Sequence, residues 1–296
     1  MDLPCPGLPE HPPLKRLALP ALLCAALLLA APVAQAQSQQ PECMERHPTP
    51  AALASMFDVA QRADETLEAL DDVDVVIIAR GGQDLSRYGL RHSHLAFAVR
   101  EDDGSWRAVH LLNHCKSPES SLFHEGLSNF IGETGTHTDL RVGVPTPAVR
   151  AALKTMLTAP GIQAKALHEP RYSVVAYPFS VEYQNSNQWV LEVLAAAMAQ
   201  SRDGTLLVRR AQVQAWLKEQ HYQPSSLHIG VGKRLGARFF SANAATTDHP
   251  ASERISGDYS VVTVESVFDF LQQRKALAQE LSVAHVPVVG MAAPKP

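Results

Sequence analysis

The chain predicts an α+β fold with a mostly antiparallel sheet packed with helices. Three observations carry that reading: an amphipathic helix precedes a fully apolar strand, two alternating segments meet at an Asp-Asp-Gly turn, and helices and strands fall in segregated blocks. With 46% hydrophobic and 19% charged residues, the composition is that of an ordinary globular protein. A net charge of -4 with no Lys/Arg block argues against nucleic acid or an anionic lipid surface as the main partner.

The N-terminus reads as a signal peptide over residues 1–36. Lys15 and Arg16 precede the apolar run "LALPALLCAALLLAAPVA", which ends in the small-x-small signature Ala34-Gln35-Ala36. An uncleaved anchor is the alternative, which Pro20, Pro32 and the A-x-A end disfavour. Beyond that run no stretch approaches the ~18 apolar residues of a membrane span. A periplasmic or secreted location follows. Residues 37–48 form a polar arm, 49–285 a single α+β domain, and 286–296 a flexible Ala/Pro/Val tail. Cys5 and Cys24 leave with the signal, so Cys43 and Cys115 remain in an oxidising compartment, where a disulfide between them is expected. The loop so closed would contribute ~3 to 4 kcal/mol in the chain-entropy model.

Thr49-Pro50 is a helix start, and Leu53, Met56, Phe57, Ala60, Ala63, Leu67 and Leu70 recur at three and four until Asp71-Asp72. "VDVVIIAR" follows as a strand buried on both faces. "HSHLAFAVR" and "WRAVHLLN" make a hairpin around Asp102-Asp103-Gly104. A loop with one short helix around "SSLFHEGLSNFI" precedes the strand "DLRVGVPTP", and Pro147 opens a helix to about Leu157. "EPRYSVVAYPFS" is extended because Pro170 and Pro178 bar a helix interior. Helices from Ser186 and over roughly Leu206 to His221 come next, then the strand "SLHIGVG", and "DYSVVTVESVFDFLQQRKALAQEL" reads as a last strand and helix.

Chemistry-bearing residues gather in two places. Alternation sets His92 and His94 on one strand face, and His110 lies on the other arm of the hairpin, within cross-strand reach of His94. In "YQNSNQWVLE", Ser186 stands at a helix start, where unsatisfied N–H groups and the helix dipole suit a cap and a nucleophile equally. Acyl transfer needs a hydroxyl, a base in hydrogen-bond reach and a third group that orients the base. Ser186, His94 and either His110 or Asn113 fit those roles. Gln184, Asn185, Asn187 and Gln188 are candidate substrate-binding amides around the nucleophile. Trp189 is read as packing its helix onto the sheet. The same histidines with His114 also resemble an open Zn site, although no carboxylate lies close by in sequence. No motif calls for a cofactor.

"VVIIARGGQDLSRYGLRHSHLAFAVR", "HEPRYSVVAYPFS" and "YQNSNQWVLE" resemble an exported bacterial domain-of-unknown-function family (DUF2145-like) over most of the chain beyond residue 36. More distantly, a strand ending in Ser-His-small-apolar, a polar residue on the next strand, then a nucleophile at a helix start resembles the circularly permuted NlpC-type, papain-like fold. That resemblance implies a cleft, the order His94, His110 or Asn113, then Ser186, and a cell-wall peptide as substrate or ligand. The superfamily carries cysteine where this chain carries Ser186, so two readings stand side by side. One is an amide or ester hydrolase or acyltransferase; the other is a non-catalytic peptide-binding or envelope-associated module with a degenerate site.

Overall fold

A computed structural model describes residues 48–82, 84–115, 117–132, 139–158, 163–232 and 243–284. The signal-peptide, N-terminal-arm and C-terminal-tail expectations fall outside these residues, apart from Pro48 at the end of the arm, as does Cys43.

The protein is α+β. Helix α1 (Pro50–Glu68) begins as its sequence dictates, with Pro50 in the first turn and the Thr49 hydroxyl accepting the Ala52 N–H. It ends before Asp72, which adopts a left-handed φ of 55°. Strand β1 (Val75–Arg80) is buried at every position. Next come β2 (His94–Arg100), β3 (Trp106–Asn113), β4 (Ser120–Gly126), α2 (Leu127–Gly132) and β5 (Asp139–Pro145). The β2–β3 turn contains Gly104 at φ 88°, a conformation that favours glycine. Then follow α3 (Pro147–Thr158), α4 (Gln163–Ala166), α5 (Ser186–Asp203), α6 (Arg210–Glu219), β6 (Ser225–His228), α7 (Ala251–Ser256), β7 (Asp258–Val261), α8 (Val264–Gln273) and β8 (Leu277–Ala284).

One six-stranded sheet has the order β4-β3-β2-β1-β5-β8, with every neighbouring pair antiparallel; β6 and β7 form a separate antiparallel ribbon. Strand alternation divides the interior in two. Val75, Ile77, Leu95, Phe97, Val109 and Leu111 pack with α3, α5, α6 and α8. Val76, Ile78, Ala96, Ala98 and Val142 pack with α1 and α2. Both faces of the central strands are therefore apolar, which is why "VVIIA" shows no polar alternation.

Two segments differ from their sequence reading. Ser120–Gly126, expected as loop and helix, is a strand against β3, and the helix starts only at Leu127. Leu277–Ala284, expected to extend the last helix, is the sixth strand. Ala, Leu, Gln and Glu are good helix formers, but Lys275 in a left-handed conformation (φ 53°) ends α8, and the free edge of β5 supplies a ladder. The stretch around "RYSVVAYP" is irregular, with Tyr172 bridged to Gln184.

Candidate active site

Helix α5 is buried almost all round, from Ser186 through Ala199. Its N-cap is Asn185, whose side-chain oxygen accepts the Gln188 N–H at 2.8 Å. Capping therefore does not occupy Ser186 one residue on, and its hydroxyl instead meets His94 Nδ1 at 3.1 Å.

Asn187 fixes that meeting. Its side-chain oxygen accepts the Leu95 N–H at 3.0 Å, and its amide nitrogen donates to Ser93 O at 3.2 Å. The two bonds grip the backbone on either side of His94, so the helix start and the strand end are held in one register.

His94 Nε2 lies 2.8 Å from His110 Nδ1. The sequence expectation of contact holds, but not as a direct cross-strand pair. The register Phe97↔Val109 places His94 level with Leu112, so the two imidazoles meet on the diagonal. His110 is fully buried and its Nε2 is 2.7 Å from Glu125 Oε1, an ion-pair distance approached off the line of an N–H···O bond. Phe130 of α2 packs against both rings, with centroids 5.9 Å from His94 and 5.3 Å from His110.

Tyr172 is buried and lines the same cavity as Ser186. Burial pushes its phenol up to about 12, so it stays a donor. Burial also drives His94 well below the ordinary histidine range, reinforced by the guanidinium of Arg80, its register partner on β1, and by His110. His94 is accordingly neutral. One donor direction fits the two hydrogen bonds, Ser186 to His94 Nδ1 and His94 Nε2–H to His110 Nδ1, and leaves His110 Nε2–H on the side of Glu125. A neutral imidazole with its lone pair toward a hydroxyl is a general base.

Glu125 and Tyr172 went unnoticed in the sequence. Reading "SSLFHEG" as helix concealed a strand alternation that sets Phe123 opposite His110 and Glu125 on the same face two residues on. For Tyr172 no spacing signal exists, since it joins the site through an irregular segment. Asn113, the alternative third group, lines the same cavity but donates to His114 O and makes no contact with His94. His92 is engaged with Asp139 at 3.1 Å, and His114 with Ser121 at 2.9 Å.

The flanking amides divide into two pairs. Asn185 and Asn187 border the cavity. Gln184 and Gln188 are fully buried and donate to Glu192 at 2.7 and 3.2 Å. Trp189 packs edge-on against Phe97 of β2 and donates to Ala164 O, as its packing role requires. For a metal, His94 and His110 spend facing nitrogens on each other, and among the described residues no group of three His, Cys, Asp or Glu is arranged to hold an ion.

The cavity beside Ser186 encloses about 860 Å³. No helix among the described residues is long and apolar enough to cross a membrane. The family described as an uncharacterised protein conserved in bacteria (DUF2145) matches residues 66–271, which include His94, His110, Glu125, Tyr172 and Ser186. No curated protein and no solved structure matches the chain.

Proposed function

The chain belongs to this bacterial family, DUF2145, and from its site we propose that it is an exported hydrolase or acyltransferase acting on an amide or ester of the cell envelope. The observation that carries the reading is the unbroken contact chain from Ser186 through His94 and His110 to Glu125. Ser186 attacks the carbonyl carbon as its proton passes to His94 Nδ1. His110 holds the other ring nitrogen of His94, and the Glu125 carboxylate stabilises the positive charge that develops over the imidazole pair. The start of α5 and the nearby Tyr172 hydroxyl are the candidate donors for the developing oxyanion in this reading.

The order His94, His110, Ser186 along the chain supports a permuted papain-like relation, in which serine replaces the usual thiol. Export rests on the signal-like segment 1–36, and a Cys43–Cys115 disulfide on the compartment it implies. A second reading, a peptide-binding or envelope-associated module, is favoured by that same serine, which lacks a thiolate's nucleophilicity.

Labelling of the purified protein with a fluorophosphonate probe separates the two. The expected result is stoichiometric labelling that Ser186→Ala abolishes and His94→Gln slows by about 10²-fold or more, the usual contribution of a general base. Equal labelling of wild type and Ser186→Ala removes Ser186 as nucleophile.

A further inference from the structure

The walls of the cavity beside Ser186 go beyond what acyl transfer requires. Leu85, Leu90, Leu112, Val174, Leu227 and Ile229 line it, and all but Leu90 keep part of their surface in contact with solvent. Its charged side chains include Arg80 and Arg87, while no Asp or Glu is among the described residues that line it. Arg87 is exposed at the rim, stacked on Tyr88 at 4.6 Å. About 860 Å³ lies near the top of the range for small-molecule sites and exceeds what a small acyl group needs.

We infer that Ser186 takes its acyl group from an ester of a fatty acid that also bears a negative charge, the apolar chain lying along the Leu/Val/Ile walls and the charge facing the arginines. This rests on the acyl-transfer reading of Ser186. The lining also carries polar groups such as Asn113, Asn185 and Asn187, but a charged peptide side chain laid along the Leu/Val/Ile walls loses hydration there, whereas an alkyl chain is stabilised by the same burial. In the reaction the Ser186 Oγ–carbonyl bond forms and the ester C–O bond breaks. The hydroxyl proton travels by His94 Nδ1 to the departing alkoxide. Water or a second alcohol then takes the acyl group by the reverse route, returning a proton to Ser186.

Two measurements test the inference and keep it separate from the reading beneath it. Calorimetric binding of octanoate, decanoate and dodecanoate to Ser186→Ala needs no catalysis. Affinity is expected to rise by up to about 4-fold per methylene, with D-alanyl-D-alanine binding more weakly than any of them. Val174→Asp should flatten the series, and Arg87→Glu should weaken all three carboxylates equally. The second measurement is hydrolysis of p-nitrophenyl esters from four to twelve carbons by wild type, where kcat/KM should climb with chain length. Affinities independent of length, or tighter binding of the dipeptide, overturn the fatty-acyl assignment even if the fluorophosphonate labels Ser186. Length-dependent binding without any labelling leaves the apolar-chain assignment standing and removes the acyl-transfer reading instead.

Discussion

Arg210→Met probes the scaffold under the candidate nucleophile. Glu192 is fully buried on α5, six residues beyond Ser186, and Arg210 of α6 is its ion-pair partner, with Nε at 2.7 Å and Nη2 at 3.0 Å from the two carboxylate oxygens. Gln184, Gln188 and Gln214 add amide donors at 2.7, 3.2 and 2.9 Å. Arg210 also ties down the chain leading into α5 by donating to the carbonyls of Val181 and Tyr183. Removing the guanidinium leaves a carboxylate in the interior with dipoles but no countercharge. Breaking such a pair on one side costs about 3 to 5 kcal/mol. At roughly 2 to 4 °C per kcal/mol for a domain of this size, Tm should fall by about 6 to 20 °C. Differential scanning calorimetry at pH 7 measures it, with Arg202→Met as the control, since the Arg202–Asp203 pair is solvent-exposed and contributes little. A Tm loss for Arg210→Met no larger than the control's would refute the reasoning and assign the stability of this junction to the amides alone.

Three further outcomes follow from particular contacts. His94 is held neutral by burial, so the unfolded chain binds its proton first as pH drops below 6.5; stability is full above that value and declines by up to about 1.4 kcal/mol per pH unit beneath it. Thermal melts between pH 7.5 and 5 should show a shallower decline in His94→Gln, and parallel curves would contradict the assignment. Tyr172→Phe removes a buried hydroxyl from the cavity beside Ser186, and should change Tm by no more than an ordinary hydrogen bond's ~1 kcal/mol while slowing fluorophosphonate labelling up to about 10-fold. Gly143→Ala on β5 sets a Cβ 2.9 Å from Phe268 Cε1 and 3.2 Å from Leu277 Cδ2, so it should destabilise by about 1 to 3 kcal/mol in a urea melt, although alanine lowers the entropy of the unfolded chain.

Local physics made much of the fold legible. Thr49-Pro50, the uninterrupted β-branched run of β1, the Asp-Asp-Gly turn and Pro147 each act through their own backbone constraints, and each stands where the sequence predicts. The last strand was illegible because "LAQELSV" has helical propensity, and only the unpaired edge of β5 makes it extended. Within the site, His94, His110 and Ser186 could be nominated from strand alternation and a helix start. That Asn187 spans the backbone around His94, and that His110 rather than Asn113 is the third group, are contacts between segments up to 94 positions apart.

The sequence by itself determined the fold class, most element starts and the types of side chain available for chemistry, because these follow from periodicity and backbone preference within a few residues. Tertiary structure alone decided which of those side chains touch. Glu125 and Tyr172 join the site only because β4 pairs beside β3 and an irregular segment lies against the start of α5. Hydrogen-bond geometry is fixed to tenths of an ångström by packing between distant elements, and no local pattern encodes it.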